Sequence, residues 1–202
     1  MQTFSLILLF NVAFILPAKS QAFGEGKNFV SGGYGFGTFL AVFDSYFSDY
    51  TNIRTSLVGP INIKFEHGVT EHIGIGVNLS YLSNSWNYDV PDSLYMYPFS
   101  TTSYTETTKY STISFLVRLN YHFGANAKFD PYVGLGLGYR SQNISQSTTN
   151  PNGHVKVILP IPFPFGFETT IGARYMMAPG FGFYAEAGIA KSVMQVGITA
   201  GF

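Results

Sequence analysis

Apolar and polar residues alternate along most of this chain, and the pattern is sharpest near its end. Between residues 181 and 202 (FGFYAEAGIAKSVMQVGITAGF) the alternation is interrupted only around residues 191–193. Strict period-two alternation predicts β-strands, because successive side chains of a strand point to opposite faces. The last ten residues have the length and pattern of one transmembrane strand. A single strand has unpaired edges and cannot lie alone in lipid, so the rest of the chain must close a barrel.

The same alternation recurs from residue 28 onward and predicts eight strands. Six lie at about 29–43, 56–67, 73–88, 109–123, 131–143 and 163–175, and two more lie within 181–202. Short turns at 68–72, 124–130 and 176–180 alternate with longer links at 44–55, 89–108 and 144–162, and the last hairpin, 190–194, is tight. We therefore expect an all-β fold, an eight-stranded antiparallel up-and-down transmembrane β-barrel.

One face of each predicted strand is bulky and apolar, and the other is small and polar. In the fourth strand, Ile113, Phe115 and Val117 alternate with Ser114 and Arg118. The interior of an eight-stranded barrel is just filled by side chains, so the bulky face of eight strands would overfill it. A soluble lipocalin-like barrel would place that face inside. The pattern favours a membrane barrel with its apolar face towards lipid.

The N-terminal region predicts a signal peptide. Residues 4–16 (FSLILLFNVAFIL) are apolar, and Ser20 and Ala22 provide small residues for cleavage after Ala22. No Lys or Arg precedes the apolar segment, which departs from the usual pattern. We expect a cleaved signal peptide at 1–22 and a barrel domain at 23–202. No later segment is long and apolar enough for a transmembrane helix.

Composition narrows the function classes. Charged residues make up 11% of the chain, the formal net charge is zero, and there is no cysteine. Nucleic-acid binding requires a basic surface, so the zero net charge does not support it. Thiol chemistry and disulfides are excluded. Aromatic residues make up 17% and predict girdles at the two ends of the barrel. The predicted girdle residues are Tyr121, Phe123, Tyr175, Phe181 and Phe202 at the short-turn end, and Tyr81, Trp86, Tyr88 and Tyr139 at the other.

Charged residues on the polar face form the candidate site. Seven of them are expected in the lumen: Lys64, Glu66, Arg118, Arg140, Glu168, Arg174 and Glu186. Unpaired buried charges are costly, so these groups should pair, with Arg140 and Glu168 on neighbouring strands. They could line an ion pathway, but a packed plug is favoured because eight strands leave little channel.

Enzymatic and cofactor chemistry find little support in the sequence. The histidines His67, His72, His122 and His154 lack the spacing of a metal site. Gly-x-Gly segments at 33–37 and 134–138 lie in strands and do not form a phosphate-binding loop. We predict no catalytic residues, no cofactor and no metal. The enzyme alternative is a lipid A-modifying barrel that uses His154, the only histidine expected on the outer side of the barrel.

Three segments carry a resemblance to a known family: PYVGLGLGY at 131–139, EAGI at 186–189, and QVGITAGF at 195–202. The chain resembles small eight-stranded outer-membrane barrels of the OmpA/OmpW-like superfamily, in particular the Bacteroidota "outer membrane protein beta-barrel domain" type. The resemblance implies the bacterial outer membrane and contact with its lipid and lipopolysaccharide. It also implies insertion by the barrel-assembly machinery, which would recognise the terminal Phe202.

The expected function is structural or accessory, in the outer membrane or in a larger outer-membrane protein complex. The expected orientation has both termini periplasmic and the long loops extracellular, since barrels of this type have short periplasmic turns. Two alternatives stay open beside this one. They are a surface-binding protein or small-solute pore, and a lipid A-modifying enzyme.

Overall fold

The chain forms a closed barrel of eight antiparallel strands. The structure is a computed structural model that describes residues 22–38, 51–91, 103–124, 128–151 and 164–202. The strands are β1 (Asn28–Phe36), β2 (Thr51–Gly68), β3 (Ile73–Pro91), β4 (Ser103–His122), β5 (Phe129–Thr148), β6 (Phe165–Ala178), β7 (Phe181–Ile189) and β8 (Met194–Gly201). Each strand pairs with its neighbours in sequence, and β8 pairs with β1. The predicted eight-stranded up-and-down barrel is confirmed.

Barrel closure depends on the pairing of β1 with β8. The backbone amide of Asn28 donates to the carbonyl of Phe202, and the amide of Phe202 donates back to Asn28, both at 2.9 Å. These bonds extend the β1–β8 ladder to the final residue. The start of β1 and residue Phe202 therefore share one end of the barrel with the turns at 69–72 and 179–180, and we call this the short-turn end.

The outward face is apolar and the inward face is polar, as the alternation predicts. Ile63, Val117 and Leu135 point outward and are 58%, 54% and 53% exposed. Asn62, Ser114 and Asn120 point inward and are buried. An exposed apolar band that runs around a whole barrel would aggregate in water, so this surface is suited to lipid.

Four strands extend past their predicted bounds at the end opposite the short turns, which we call the long-strand end, and β5 also begins two residues early at the short-turn end. β2 begins at Thr51, within the predicted 44–55 loop, and β4 begins at Ser103, within the predicted 89–108 link. β3 continues to Pro91 and β5 to Thr148. The predicted links were too long because these segments are rich in Ser, Thr and other polar residues and lack a regular apolar alternation, which is the signal that marks a strand. The rest of the predicted first strand, from residue 39, lies outside the described residues.

The predicted aromatic girdles are correct in part. Tyr121, Phe123, Tyr175, Phe202, Tyr81 and Tyr139 are exposed on the outer face. Trp86 and Tyr88 were wrongly placed there, because they are inward side chains with 0% and 1% exposure. They have the same parity on β3 as the inward residues Asn78 and Ser80, and this parity holds beyond the apolar band.

Glycines leave room for the charged side chains of the lumen. A Cβ atom on Gly136 of β5 would lie 2.5 Å from Cγ of Glu168 on β6. One on Gly134 would lie 2.6 Å from Nη2 of Arg118. The repeated glycines at 134–138 therefore make the inner wall of β5 thin where two large ionic side chains cross the lumen.

Candidate functional site in the barrel lumen

An acidic and basic cluster fills the lumen near the short-turn end. Glu66 of β2 and Asp130 of β5 are both buried and lie on either side of His122 of β4. Nδ1 of His122 is 2.7 Å from Oδ1 of Asp130, and Nε2 is 2.9 Å from Oε1 of Glu66. Arg174 of β6 pairs with both carboxylates, at 2.5 Å from Glu66 and 3.4 Å from Asp130. We call these four residues the lower cluster.

Aromatic rings seal the lower cluster towards the short-turn end. The ring of Phe23 stacks on His122 with a centroid separation of 3.4 Å, and it lies 5.9 Å from the ring of Phe29. The guanidinium of Arg174 lies 3.9 Å from the centroid of Phe29. The segment before β1 is held by a backbone bond of 2.8 Å from Gly26 to Gly68. Phe23 therefore closes this mouth of the barrel.

A second cluster lies further into the lumen, and we call it the middle cluster. Glu186 of β7 accepts hydrogen bonds from Lys64 Nζ at 2.6 Å and from the Tyr132 hydroxyl at 2.8 Å. Arg118 of β4 donates to Glu186 at 3.1 Å and lies 3.0 Å from Glu168 of β6. Two cations thus face two carboxylates, so the cluster is neutral within itself.

The two clusters form a continuous plug. Nη2 of Arg118 donates to Oδ1 of Asn120 at 3.3 Å, and Nδ2 of Asn120 donates to Glu66 at 2.6 Å. A cavity of about 20 Å³ remains between the clusters, bordered by Ser31, Lys64 and Tyr184 among others. That volume holds about one water molecule and no solute.

The long-strand end is closed by a turn and by aromatic side chains. The turn between β7 and β8, residues 190–193, buries Ala190 and Ser192. Nζ of Lys191 reaches the opposite wall and donates to the carbonyl oxygens of Ser80 at 2.9 Å and Thr112 at 3.3 Å. Beyond it, Trp86 and Tyr88 are buried. Neither end of the lumen leaves a wide opening among the described residues.

The structure brings together six of the seven predicted lumen charges. Lys64, Glu66, Arg118, Glu168, Arg174 and Glu186 are buried in the two clusters. The expected contact between Arg140 and Glu168 is not formed, since the ion-pair partner of Glu168 is Arg118. Arg140 lies two inward positions further along β5 than Gly136, which is the register partner of Glu168. The prediction that Arg140 and Glu168 lie on neighbouring strands was right, but the register between those strands was not predicted.

Three residues of the plug were missed from sequence. Asp130 was assigned to a turn, His122 was not counted among the lumen charges, and Phe23 precedes every strand. Parity could have found the first two, because Asp130 and His122 have the same inward parity as the charges on their own strands. Nothing in the local pattern marks Phe23.

Metal and enzyme chemistry gain no support from the described part of the chain. No group of three or more His, Asp or Glu side chains that could hold a metal ion occurs there. His154, the residue of the enzyme alternative, lies outside the described residues. No helix among the described residues is long and apolar enough to cross a membrane.

A closed eight-stranded barrel with an apolar outer band and a polar lumen defines a transmembrane β-barrel. The chain belongs to the outer membrane protein beta-barrel domain family, whose sequence profile matches residues 6–197. It is therefore an outer-membrane β-barrel protein. A search of curated proteins returned no match.

Solved structures of similar architecture include three bacterial outer-membrane proteins. OprG from Pseudomonas aeruginosa is 11% identical with a TM-score of 0.47, covering 89% of this chain and 97% of that one. The N-terminal barrel of Pseudomonas aeruginosa OprF is 14% identical with a TM-score of 0.36, covering 89% and 98%. Ail of Yersinia pestis, solved with the heparin analogue sucrose octasulfate, is 12% identical with a TM-score of 0.38, covering 88% and 99%.

Proposed function

We propose that this protein is a non-conducting outer-membrane barrel with a structural or accessory role, alone or within a larger outer-membrane protein complex. The observation that carries the proposal is the plug: two clusters of paired ionic side chains fill the lumen, with Phe23 at one mouth and the 190–193 turn at the other. A barrel without a channel can act only through its outer band and its end surfaces.

We further propose that the short-turn end faces the periplasm and the long-strand end faces the exterior. The support is the general topology of outer-membrane barrels, in which periplasmic turns are short and outer loops are long. The outer band would then contact lipid, lipopolysaccharide or a neighbouring barrel. The terminal Phe202 would be read by the barrel-assembly machinery, and its side chain is 47% exposed at the strand end.

The plug is tested by conductance. Purified protein in planar bilayers should show no stepwise channel currents, with a porin reconstituted in parallel as the positive control. Because the ion pairs of the middle cluster block the lumen, a steady wide conductance at neutral pH would overturn the non-conducting part of the proposal.

The accessory role is tested by identifying the proteins that co-purify with this one. Detergent extraction from native outer membranes, followed by mass spectrometry, should recover a larger barrel or secretion component in stoichiometric amount. A lone monomer, after mild extraction and after chemical cross-linking in the intact membrane, would contradict membership of an assembly and leave a scaffold role.

We expect no enzymatic activity. The histidine of the lower cluster lies between two carboxylates, as catalytic histidines often do, but His122 is 1% exposed and covered by Phe23. A substrate could not reach it without opening the barrel mouth. Unchanged lipid A composition in cells with and without the protein would be the expected result, and altered lipid A would contradict it.

One observation favours surface binding as a second candidate. β3, β4 and β5 continue past the apolar band, and their outward residues there are small and polar, such as Ser111, Ser145 and Thr107. This gives a polar sheet above the membrane that could contact a hydrophilic partner. Binding of purified protein to a glycan array, lost when Thr107 and Ser111 are replaced by leucine, would support this role. Absence of any binding would argue against it.

A further inference from the structure

Two basic side chains at the long-strand end of the lumen lie outside both clusters. They are Lys191, in the 190–193 turn, and Arg140, on β5. Among the described residues, neither has a carboxylate within ion-pair distance, whereas Lys64, Arg118 and Arg174 each have at least one. Lys191 and Arg140 therefore have no carboxylate counter-ion among the described residues.

The two side chains occupy the same level of the lumen. Ser80 of β3, Ser114 of β4 and Arg140 of β5 are register partners on one rung. Nζ of Lys191 is held 2.9 Å from the carbonyl oxygen of Ser80. Since neighbouring strands lie about 4.8 Å apart, the ammonium group is one to two strand spacings from the β5 backbone that carries Arg140.

Hydroxyl groups surround this level. The side-chain oxygens of Ser80 and Ser114 lie 2.7 Å apart, and both residues are buried. The hydroxyl of Thr112 is also buried, at 4% exposure of the residue. Nε of Arg140 is buried without a partner. An unpartnered donor that is buried costs free energy unless a ligand or water satisfies it.

We infer that Lys191, Arg140 and Thr112 form a binding site for one oxyanion group, a phosphate or sulfate, at the long-strand end of the lumen. This goes beyond the proposed scaffold role, which needs no ligand. Two cations and a buried hydroxyl suit a tetrahedral oxyanion, because guanidinium and ammonium groups make strong charge-assisted hydrogen bonds to such oxygens. The anion could be free in solution or part of a membrane lipid headgroup, and both sources present the same chemistry.

The electrostatics of the turn agree with this assignment. Burial, and then the nearby charge of Arg140, lower the pKa of Lys191 to about 7. Glu168 of β6 acts in the opposite direction but more weakly, and its carboxylate is already paired with Arg118. The carbonyls of Ser80 and Thr112 complete the surroundings of the ammonium from β3 and β4. A bound anion would offset the repulsion between the two cations.

The experiment is calorimetric titration of the full-length protein in non-ionic detergent at pH 6, at constant ionic strength set by sodium chloride. The first probe is inorganic phosphate and the second is bisphosphorylated lipid A in mixed micelles. We expect one saturable site per barrel. Lys191→Met and Arg140→Gln should each weaken it by about tenfold or more, since each removes a charge-assisted hydrogen bond. Lys109→Met is the matched control, because Lys109 is an exposed outward lysine on the same end, and it should leave the affinity unchanged.

Each result decides the proposal. Saturable phosphate binding that is lost in both variants supports the site with a free anion as ligand. Saturation by lipid A alone, with the same loss, supports it with a lipid headgroup as ligand. No saturable binding of either probe overturns the site, and so does binding that both variants retain. If Lys191→Met fails to fold, Arg140→Gln together with Lys191→Arg, which keeps the charge and should keep the affinity, carries the test.

Discussion

Glu186 is the residue on which the middle cluster most depends. Its carboxylate accepts hydrogen bonds from Lys64, Arg118 and Tyr132, and the side chain is 2% exposed. Glu186→Gln keeps the shape of the side chain but removes the charge. Arg118 would still face Glu168 at 3.0 Å. Lys64 would lose its only ion-pair partner among the described residues and keep a contact with the ring of Tyr184 at 4.6 Å.

The expected destabilisation follows from the loss of the ion-pair partner of Lys64. Removing one partner of a buried ion pair costs about 3–5 kcal/mol, because the other charge stays buried without compensation. We expect about 3 kcal/mol for Glu186→Gln, since the amide oxygen still accepts a hydrogen bond. Adding Lys64→Met removes the stranded charge, so the double variant should recover about 1–3 kcal/mol of that loss.

The assay is equilibrium unfolding in guanidinium chloride of the barrel inserted in lipid vesicles. Trp86 is the only tryptophan of the chain and is fully buried, so its fluorescence reports unfolding directly. Glu71→Gln, at an exposed turn carboxylate, is the control and should change stability by no more than about 0.5 kcal/mol. Strictly additive effects of Glu186→Gln and Lys64→Met would refute the reasoning that the two charges balance each other.

Three further predictions rest on the same structure. Gly136→Leu should destabilise the barrel by about 1–3 kcal/mol in the unfolding assay, because its side chain would overlap a lumen carboxylate, whereas Gly32→Ala, which meets nothing within 4 Å, should be tolerated. Leu135→Arg on the outer band should lower the free energy of unfolding by about 2–4 kcal/mol, because the charge would lie near the bilayer midplane. Ser145→Arg on the polar sheet should leave the free energy of unfolding almost unchanged. Equal losses in the two variants would contradict the assignment of Leu135 to the membrane and of Ser145 to water. Sulfate, which stays dianionic between pH 6 and pH 8, should bind more weakly as the pH rises through about 7, because Lys191 then loses its proton; a titration series that shows constant affinity would count against its role.

The predictions from sequence succeeded where each residue could be judged by its own neighbours. Alternation placed Ile113, Ser114 and Arg118 on the correct faces, since side-chain direction in a strand depends only on parity. It was not applied to Trp86 and Tyr88, which lie inside the predicted strand at 73–88 but were assigned to the aromatic girdle by residue type alone. Carrying the same parity further along β3 would have placed both rings inside.

Ion pairing could not be predicted in the same way. Arg140 and Glu168 lie on neighbouring strands, yet Glu168 pairs with Arg118, from β4. The stagger between strands decides which inward side chains share a level, and local sequence contains little information about stagger. His122 and Asp130 joined the plug for the same reason, since only the register placed them beside Glu66.

The sequence by itself determined that this chain is an eight-stranded barrel with its apolar face to lipid, because strand period and side-chain character are local properties. Only the tertiary structure decided what fills the barrel. Lys64 and Glu186 are 122 residues apart in the chain and 2.6 Å apart in the lumen. Their contact exists because β8 closes on β1 in one particular register, and that register sets the level of every inward charge. The same closure left Lys191 and Arg140 without a carboxylate partner among the described residues, a feature that neither strand shows on its own.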